Sequence, residues 1–382
     1  MSIFSHHKKP TASIFTTTEG HLSIAQAVEQ DLQKEFSTHF NYLRGQEFKL
    51  YTPFYTFFPH LFKIPFKLSS VPSIQKVIRS YSKISYKKLV DQAFRSQKPQ
   101  TVISCFYAYN HLIHQQQKHH PFTFINIIAD PRTISPIAPH PHAYNLVFDS
   151  QAVQTCLDFG IPREKIITSG WFVRQQFQQA YNQKKVRRQL KLDPNTLTLL
   201  IVAGSEGTNT ILKNFPAFIN SKKPVQVIFA CGKNKALHST ITTLSKALKN
   251  AHPKTQANIS ALGFTKDIHF YLQAADLVIG KAGPNLLFES VATLTPFLAT
   301  THISGQEDGN LDIIRQYQLG YVEENITRSV KLIKDLVNHP EKLKQFHTPL
   351  KKMAKYNQKS ADILRQTIKD SHAKSPTKTP NQ

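Results

Sequence analysis

The feature that most constrains this chain is a rhythm: short, β-rich runs recur along it, separated by polar or helical stretches. In the first half the runs are TVISCFY (101–107), FINIIAD (124–130), YNLVFDS (144–150) and KIITSG (165–170). In the second they are TLLIVAGSEG (198–207), VQVIFACG (225–232), ISALGF (259–264), ADLVIGKAG (275–283) and TPFLAT (295–300). Runs without polar alternation suit strands covered on both faces, and strands alternating with helices imply parallel sheets. From Ser13 to Phe40 the pattern reads strand, loop, helix, with Ile24, Ala27, Val28 and Leu32 at helical spacing.

The rhythm breaks once, through the polar and basic QKKVRRQLKLDPNT, and then restarts. A chain of 382 residues exceeds one ordinary core and suits two domains. The expected organisation is a first α/β domain over residues 1–178, a linker at 179–195, a second α/β domain over 196–345, C-terminal helices at 346–370 and a disordered tail at 371–382. Doubly wound domains bind ligands beyond the C-terminal ends of their strands, here toward an interdomain cleft.

Composition narrows the partners. A net charge of +24 and a pI near 9.8 call for a polyanionic partner, whether nucleic acid, an anionic membrane or a phosphorylated substrate. Within residues 51–98, ten aromatics stand among nine Lys or Arg, with Asp91 the one acid. The three cysteines are far apart in apolar settings, which excludes a disulfide framework and a cysteine-ligated metal. The histidine clusters at 6–7, 119–120, 140 and 142 lack an adjacent carboxylate or cysteine, so no metal is expected. No signal peptide or apolar run of membrane-spanning length is found, so the expected location is a reduced cytoplasm, with membrane contact peripheral.

The loops after the second-half strands carry the candidate chemistry. Gly204, Ser205 and Gly207 let backbone amides approach a phosphate or sugar, although the same run also fits a plain tight turn. In GKAGPNLLFES (280–290), Gly283, Pro284 and Asn285 open a helix whose free N–H groups and positive dipole end would stabilise a diphosphate. Lys281 and Arg174 are candidate added cations. Glu289, one turn in, has the chemistry to accept ribose hydroxyls, and also that of an ordinary helix glutamate. In GQEDGN (305–310), Gln306, Glu307 and Asn310 gather the amides and carboxylates that bind sugar hydroxyls, or that merely cap a turn.

The run GFTKDIHFYLQAADLVIGKAGPNLLFES, followed by PFLATTHISGQEDGN, resembles the donor domain of the monogalactosyldiacylglycerol synthases and processive diacylglycerol glucosyltransferases. More distantly it is similar to the N-acetylglucosaminyltransferase of lipid-linked peptidoglycan synthesis. In the first half, TTTEGHLSIAQAV resembles the family's glycine-rich loop, with Thr17, Thr18 and Glu19 in place of its glycines; IIADP and KIITSGWFVRQQF resemble two further family segments.

This resemblance implies a GT-B fold of two Rossmann-like domains and an inverting, metal-independent hexosyl transfer from a UDP-sugar to a membrane lipid such as diacylglycerol. It implies that Phe264 and Thr265 frame the uracil, that Gly283 and Pro284 meet the diphosphate, that Glu289 holds the ribose, and that Gln306 and Glu307 read the sugar. His21 and Asp130 fall on the acceptor side as candidate bases. The rival readings are a UDP-sugar 2-epimerase, transfer of N-acetylglucosamine to a polyprenyl-linked precursor, and a nucleic-acid-binding protein. The last has no recognition motif, so no nucleic-acid partner is expected. The basic, aromatic stretch is expected to dock on the anionic cytoplasmic face of a membrane.

Overall fold

The computed structural model describes residues 9–18, 20–43, 71–204 and 209–374. Within them the chain forms two compact units, one made by the chain up to Arg174 and again from Asn357, the other by Gln175–Tyr356. Each is built on a sheet of six parallel strands.

The first unit runs β1 (Thr11–Phe15), α1 (Gly20–Leu32), β2 (Ser37–Asn41), α2 (Pro72–Gln97), β3 (Thr101–Ser104), α3 (Asn110–Gln116), β4 (Thr123–Ile127), β5 (Tyr144–Val147), α4 (Ser150–Asp158) and β6 (Ile166–Thr168). The apolar runs are strands, and β3 and β4 are buried throughout. The sheet order is β2-β1-β3-β4-β5-β6, so the connections reverse direction between β1 and β3. Loops diverge at such a point and leave a crevice beyond the strand ends.

Helix α1 buries Ile24, Ala27, Val28 and Leu32, the residues whose spacing predicts it. Helix α2 is divided. Its buried residues, Ser82, Tyr86, Val90, Ala93 and Phe94, all lie in the later part, where they join Phe15, Phe106 and Tyr109 in an aromatic core. Tyr86 meets Tyr109 at 4.7 Å between ring centroids.

In the second unit the elements are α5 (Gln175–Gln178), α6 (Gln183–Gln189), β7 (Leu197–Val202), β8 (Val225–Ala230), α7 (Lys235–Ala251), β9 (Ala257–Leu262), α8 (Ile268–Ala274), β10 (Leu277–Lys281), α9 (Pro284–Ala292), β11 (Phe297–Thr301), α10 (Asp308–Gln316), β12 (Gly320–Val322), α11 (Ile326–Asn338) and α12 (His347–Gln358). The order β12-β11-β10-β7-β8-β9 places its reversal between β7 and β10. Val202 pairs with Gly280 there, and a Cβ on Gly280 would meet the Val202 carbonyl at 3.1 Å and Leu286 at 3.2 Å. A side chain there would press on β7 and α9, so glycine lets this corner close tightly.

The stretch 179–195 holds α6, capped by Asn182, whose side chain accepts from Lys185 N. Arg187 is buried: its guanidinium donates to the Ala274 carbonyl (2.8 Å), the Pro194 carbonyl (3.2 Å) and the Asp276 carboxylate (2.6 Å). Thr198 N donates to the same Asp276 oxygen at 2.8 Å, so one carboxylate ties α6 to the start of β7.

The last helix, α13 (Ser360–Lys374), belongs to the first unit, burying Leu364 and Ile368 while Arg365 donates to the Asp31 carbonyl at 2.9 Å. It runs past residue 371 into the stretch expected as a tail; residues 375–382 lie outside the described ones. No described helix is long and apolar enough to cross a membrane.

Candidate active site

The residues proposed from the second-half loops stand at the C-terminal ends of β7, β10, β11 and β9. Gly204 follows β7 with φ +84°, a left-handed conformation that disfavours a side chain. Ser205 lies outside the described residues. Next along the sheet, β10 ends at Lys281 and Gly283 caps α9 in an extended conformation, with Pro284 at the first helical position. Proline has no N–H to satisfy there and a φ already suited to the helix. Asn285 follows in the first turn, and Glu289 is buried on the second.

The loop after β11 folds back on this corner. Asn310 is buried, and its amide donates to the Ala282 carbonyl at 2.7 Å, fixing the backbone just before Gly283. Glu307 is buried as well: one carboxylate oxygen accepts from the Lys281 ammonium and the other from Ile303 N at 2.7 Å. That oxygen pair lies beside Gly283, where an added Cβ would stand 3.5 Å from both the Glu307 carboxylate and the Lys281 nitrogen. Lys281, a candidate phosphate cation from sequence, is thus an ion-pair partner of Glu307. Gln306, half-buried, is the preceding residue.

Sequence reasoning missed the group that clamps this loop. His302 places Nδ1 2.7 Å from Glu324 and Nε2 3.0 Å from Asp308. Asp308 also accepts from Gly305 N at 2.9 Å. The hydrogen bond to Glu324 is the main cause raising the imidazole's pKa, opposed by burial and helped by the charges of both carboxylates. Glu324 lies 22 residues along the chain, so no local pattern exposes the pairing.

Phe264 and Thr265 follow β9, two strands from β7. Phe264 is 57% exposed with the Lys233 ammonium 5.9 Å from its ring, an open aromatic face beside a cation. Thr265 closes its own turn by accepting from Asp267 N at 3.0 Å.

In the first unit, His21 opens α1, and its Nδ1 lies 2.8 Å from the Cys105 carbonyl at the end of β3. A carbonyl only accepts, so Nδ1 carries the proton and the neutral ring keeps a lone pair on Nε2. Burial holds the pKa below the ordinary histidine value, against a smaller upward pull from the Cys105 bond. Phe106 meets the ring edge-on at 5.0 Å. Asp130 lies beyond the end of β4, the strand next to β3. Tyr107 stands between the two loops: it contacts Phe106 at 4.9 Å, and burial, with the Asp130 charge behind it, pushes its phenol up to about 12. The β1–β3 reversal therefore brings His21, Phe106 and Tyr107 together, with Asp130 on the adjoining strand.

The later part of the segment expected to dock on membranes falls within the described residues. Phe54, Phe57, Phe58, Phe62, Phe66, Lys63 and Lys67 lie outside the described residues. Tyr86 and Phe94 are core. The start of α2 instead shows Ile74, Val77, Tyr81 and Ile84 exposed along one helical stripe, Ile84 to 84%. Lys76, Arg79, Lys83, Lys87 and Lys88 are exposed on the same helix. Among the described residues no group of three His, Cys, Asp or Glu is placed to hold a metal ion.

Residues 198–368 match the glycosyltransferase family 28 C-terminal domain. Over 341 residues the chain is 24% identical to monogalactosyldiacylglycerol synthase 2, chloroplastic, of Arabidopsis thaliana, covering 83% of this chain and 71% of that one. It is 25% identical over 278 residues to processive diacylglycerol beta-glucosyltransferase of Staphylococcus aureus, 66% of this chain and 69% of that one. MurG of Acinetobacter baumannii shares the fold with a TM-score of 0.60 at 15% identity, covering 94% of this chain and 100% of that one. A putative UDP-N-acetylglucosamine 2-epimerase of Listeria monocytogenes does so at 0.61 and 14%, covering 96% and 98%. The architecture is GT-B, two Rossmann-like domains on parallel sheets.

Proposed function

From the premise that this chain is a glycosyltransferase with a family 28 C-terminal domain, we propose that it moves a hexose from a UDP-sugar, with inversion, to a membrane lipid such as diacylglycerol. The observation that carries the donor half is the corner at the β7–β10 reversal. There the Gly204 turn, the open start of α9, Glu289 and the loop of Gln306 and Glu307 follow three neighbouring strands. In this reading the positive dipole end of α9, at the turn of Gly283, Pro284 and Asn285, stabilises the diphosphate and its growing charge as UDP leaves, without calling on a metal. Glu289 accepts the ribose hydroxyls, and Phe264 and Thr265 flank the uracil. Gln306 meets the sugar directly; Glu307 meets it and also braces Lys281 beside Gly283.

His21 is the favoured base, because its Nε2 lone pair is free of the Nδ1 bond that orients the ring and its lowered pKa keeps it neutral. Asp130 is the second candidate, as base or to position the acceptor. The lipid half rests on α2. At about 1.5 Å per residue its 26 residues outrun the four- and five-residue strands beside it. Tyr86 already reaches Phe106, the neighbour of His21, at 6.3 Å. The exposed stripe before Tyr86 therefore continues beyond the strand end that holds His21. Apolar side chains among lysines fit an anionic lipid surface on the cytoplasmic side.

The epimerase reading shares the fold but gives this basic, apolar stripe no role. Purified protein incubated with labelled UDP-glucose, UDP-galactose or UDP-N-acetylglucosamine and a total lipid extract tests the proposal. A labelled glycolipid is expected. A 2-epimerised UDP-sugar with no lipid product would replace the transferase reading.

A further inference from the structure

The loop after β11 is held by a device separate from the residues assigned to the donor. His302 leaves the strand with both ring nitrogens directed at carboxylates: Glu324 beyond β12 at 2.7 Å, and Asp308 at the start of α10 at 3.0 Å. Carboxylates only accept, so both contacts are hydrogen bonds only when the ring is an imidazolium carrying two N–H groups. Asp308 accepts from Gly305 N as well, where the chain turns with φ +89°. The turn carrying Gln306 and Glu307 is thus fastened at His302 on one side and by Glu307 on Ile303 N on the other.

We infer that His302 is a positioning residue for donor-sugar recognition, a charged rivet that holds the 303–307 turn against the end of β12 so that Gln306 and Glu307 keep the geometry the sugar needs. This rests on the proposed function, in which that turn reads the sugar while α9 and Glu289 hold the nucleotide. The ring lies too deep in the loop's hydrogen-bond system to be a ligand: both nitrogens are engaged, and Ser304 Oγ stands 3.3 Å from Nε2.

The charged groups around the rivet are Glu324, Asp308, and Lys213, which donates to the Thr300 carbonyl and interacts with Glu324. The Lys281–Glu307 pair closes the other side of the turn. The raised pKa of His302 sets the direction of the pH dependence. A histidine with a pKa raised by its partners contributes its interaction fully below the ordinary value near 6.5 and loses it as pH climbs through the raised one. The turn is therefore fastened in acid and loosens in alkali.

The test compares UDP with UDP-glucose and UDP-galactose on the full chain by calorimetry and steady-state kinetics between pH 6 and 9. In His302→Gln, affinity for UDP should stay within about twofold. The KM for the preferred UDP-sugar should rise about tenfold, with a smaller change in kcat, as expected when a ground-state contact is lost. The wild-type advantage of UDP-sugar over UDP should fall as pH rises; His302→Gln should lack that limb. Glu324→Gln removes the largest upward influence on the imidazole, so its limb should move to lower pH, which a purely structural role would not produce. This second variant also serves if His302→Gln does not fold. If wild-type protein binds UDP and both variants keep the wild-type pH dependence of sugar recognition, the inference alone is overturned. Wild-type protein that binds no UDP overturns the functional reading beneath it as well.

Discussion

The two units use one architecture for opposite kinds of site. At the β7–β10 reversal the corner is dense in charge and closed by hydrogen bonds: Glu307 to Lys281 and Ile303, Asn310 to Ala282, His302 to two carboxylates. The β1–β3 reversal has a neutral histidine held by one backbone carbonyl, with aromatic rings around it. A polar ligand such as a nucleotide sugar gains from groups whose orientation is fixed before it arrives. An apolar acceptor needs space, a lone pair and little else. The contrast assigns rigidity to the second unit and permissiveness to the first.

Removing the carboxylate that organises the second unit should have the largest effect. Asp276 is the partner of buried Arg187 and of Thr198 N, and a buried guanidinium left without its anion costs about 3–5 kcal/mol. Asp276→Ala should therefore destabilise the second unit, with amide exchange accelerated in α6, β7 and β10. The first unit holds its own buried pair, Arg132 to Asp149 at 2.7 Å, where Asp149 also caps α4. Asp149→Ala should accelerate exchange there instead. If either change loosens both units equally, they are not separate structural bodies and the contrast between their sites loses its basis.

Next in size is the chemistry on the permissive side. His21→Ala or Asp130→Ala, whichever removes the base, should cut turnover by about a hundredfold while sparing UDP binding. Because burial lowers the His21 pKa, the ring stays neutral as pH falls through 6.5, and wild-type transfer should decline only in more acidic solution. Near-normal rates in both mutants would remove these residues from catalysis.

Much of this was legible in advance, for a physical reason. Strands buried on both faces are rich in apolar and β-branched residues without polar alternation, so β3, β4, β7, β8 and β10 announce themselves. The strands that went unseen are edges: β2 is STHFN, largely exposed, and β12 is three residues long. Neither carries a core signal. Helix α6 resembles a linker in sequence because its exposed face is Lys- and Arg-rich, while Arg187 is buried by partners far along the chain. The same limit hid His302, whose role depends on Glu324 and not on its neighbours in sequence. In the basic, aromatic stretch, composition groups residues that the fold separates: Tyr86 and Phe94 lie in the core and Tyr81 on the surface.

Glu289 sharpens the rigid side of the comparison. It is buried on the second turn of α9. Glu289→Ala should weaken UDP binding by about 1–3 kcal/mol, the cost expected when hydroxyls lose a charged partner, with the corner around Gly283 otherwise kept. Calorimetry on folded mutant protein showing unchanged affinity would take the ribose away from this residue.

The smallest individual effects belong to the surface of α2. Lys76, Arg79, Lys83, Lys87 and Lys88 are exposed, and each gains about 1 kcal/mol near an anionic leaflet, falling off within a Debye length. One lysine changed to glutamine should therefore shift liposome binding by less than about tenfold. The four lysines changed together should abolish it, and raised salt should mimic that loss. The exposed stripe supplies the other half of the interaction. Ile84→Ser, at the most exposed apolar position, should weaken binding without the salt dependence that marks the lysines. If the stripe and the lysines act at the mouth of the permissive site, both sets should lower transfer to lipid in vesicles while leaving UDP affinity unchanged. Equal flotation with neutral and anionic vesicles would detach the charge from the docking step. A loss of UDP affinity on changing α2 would mean that the two sites are not divided between the units as their chemistry suggests.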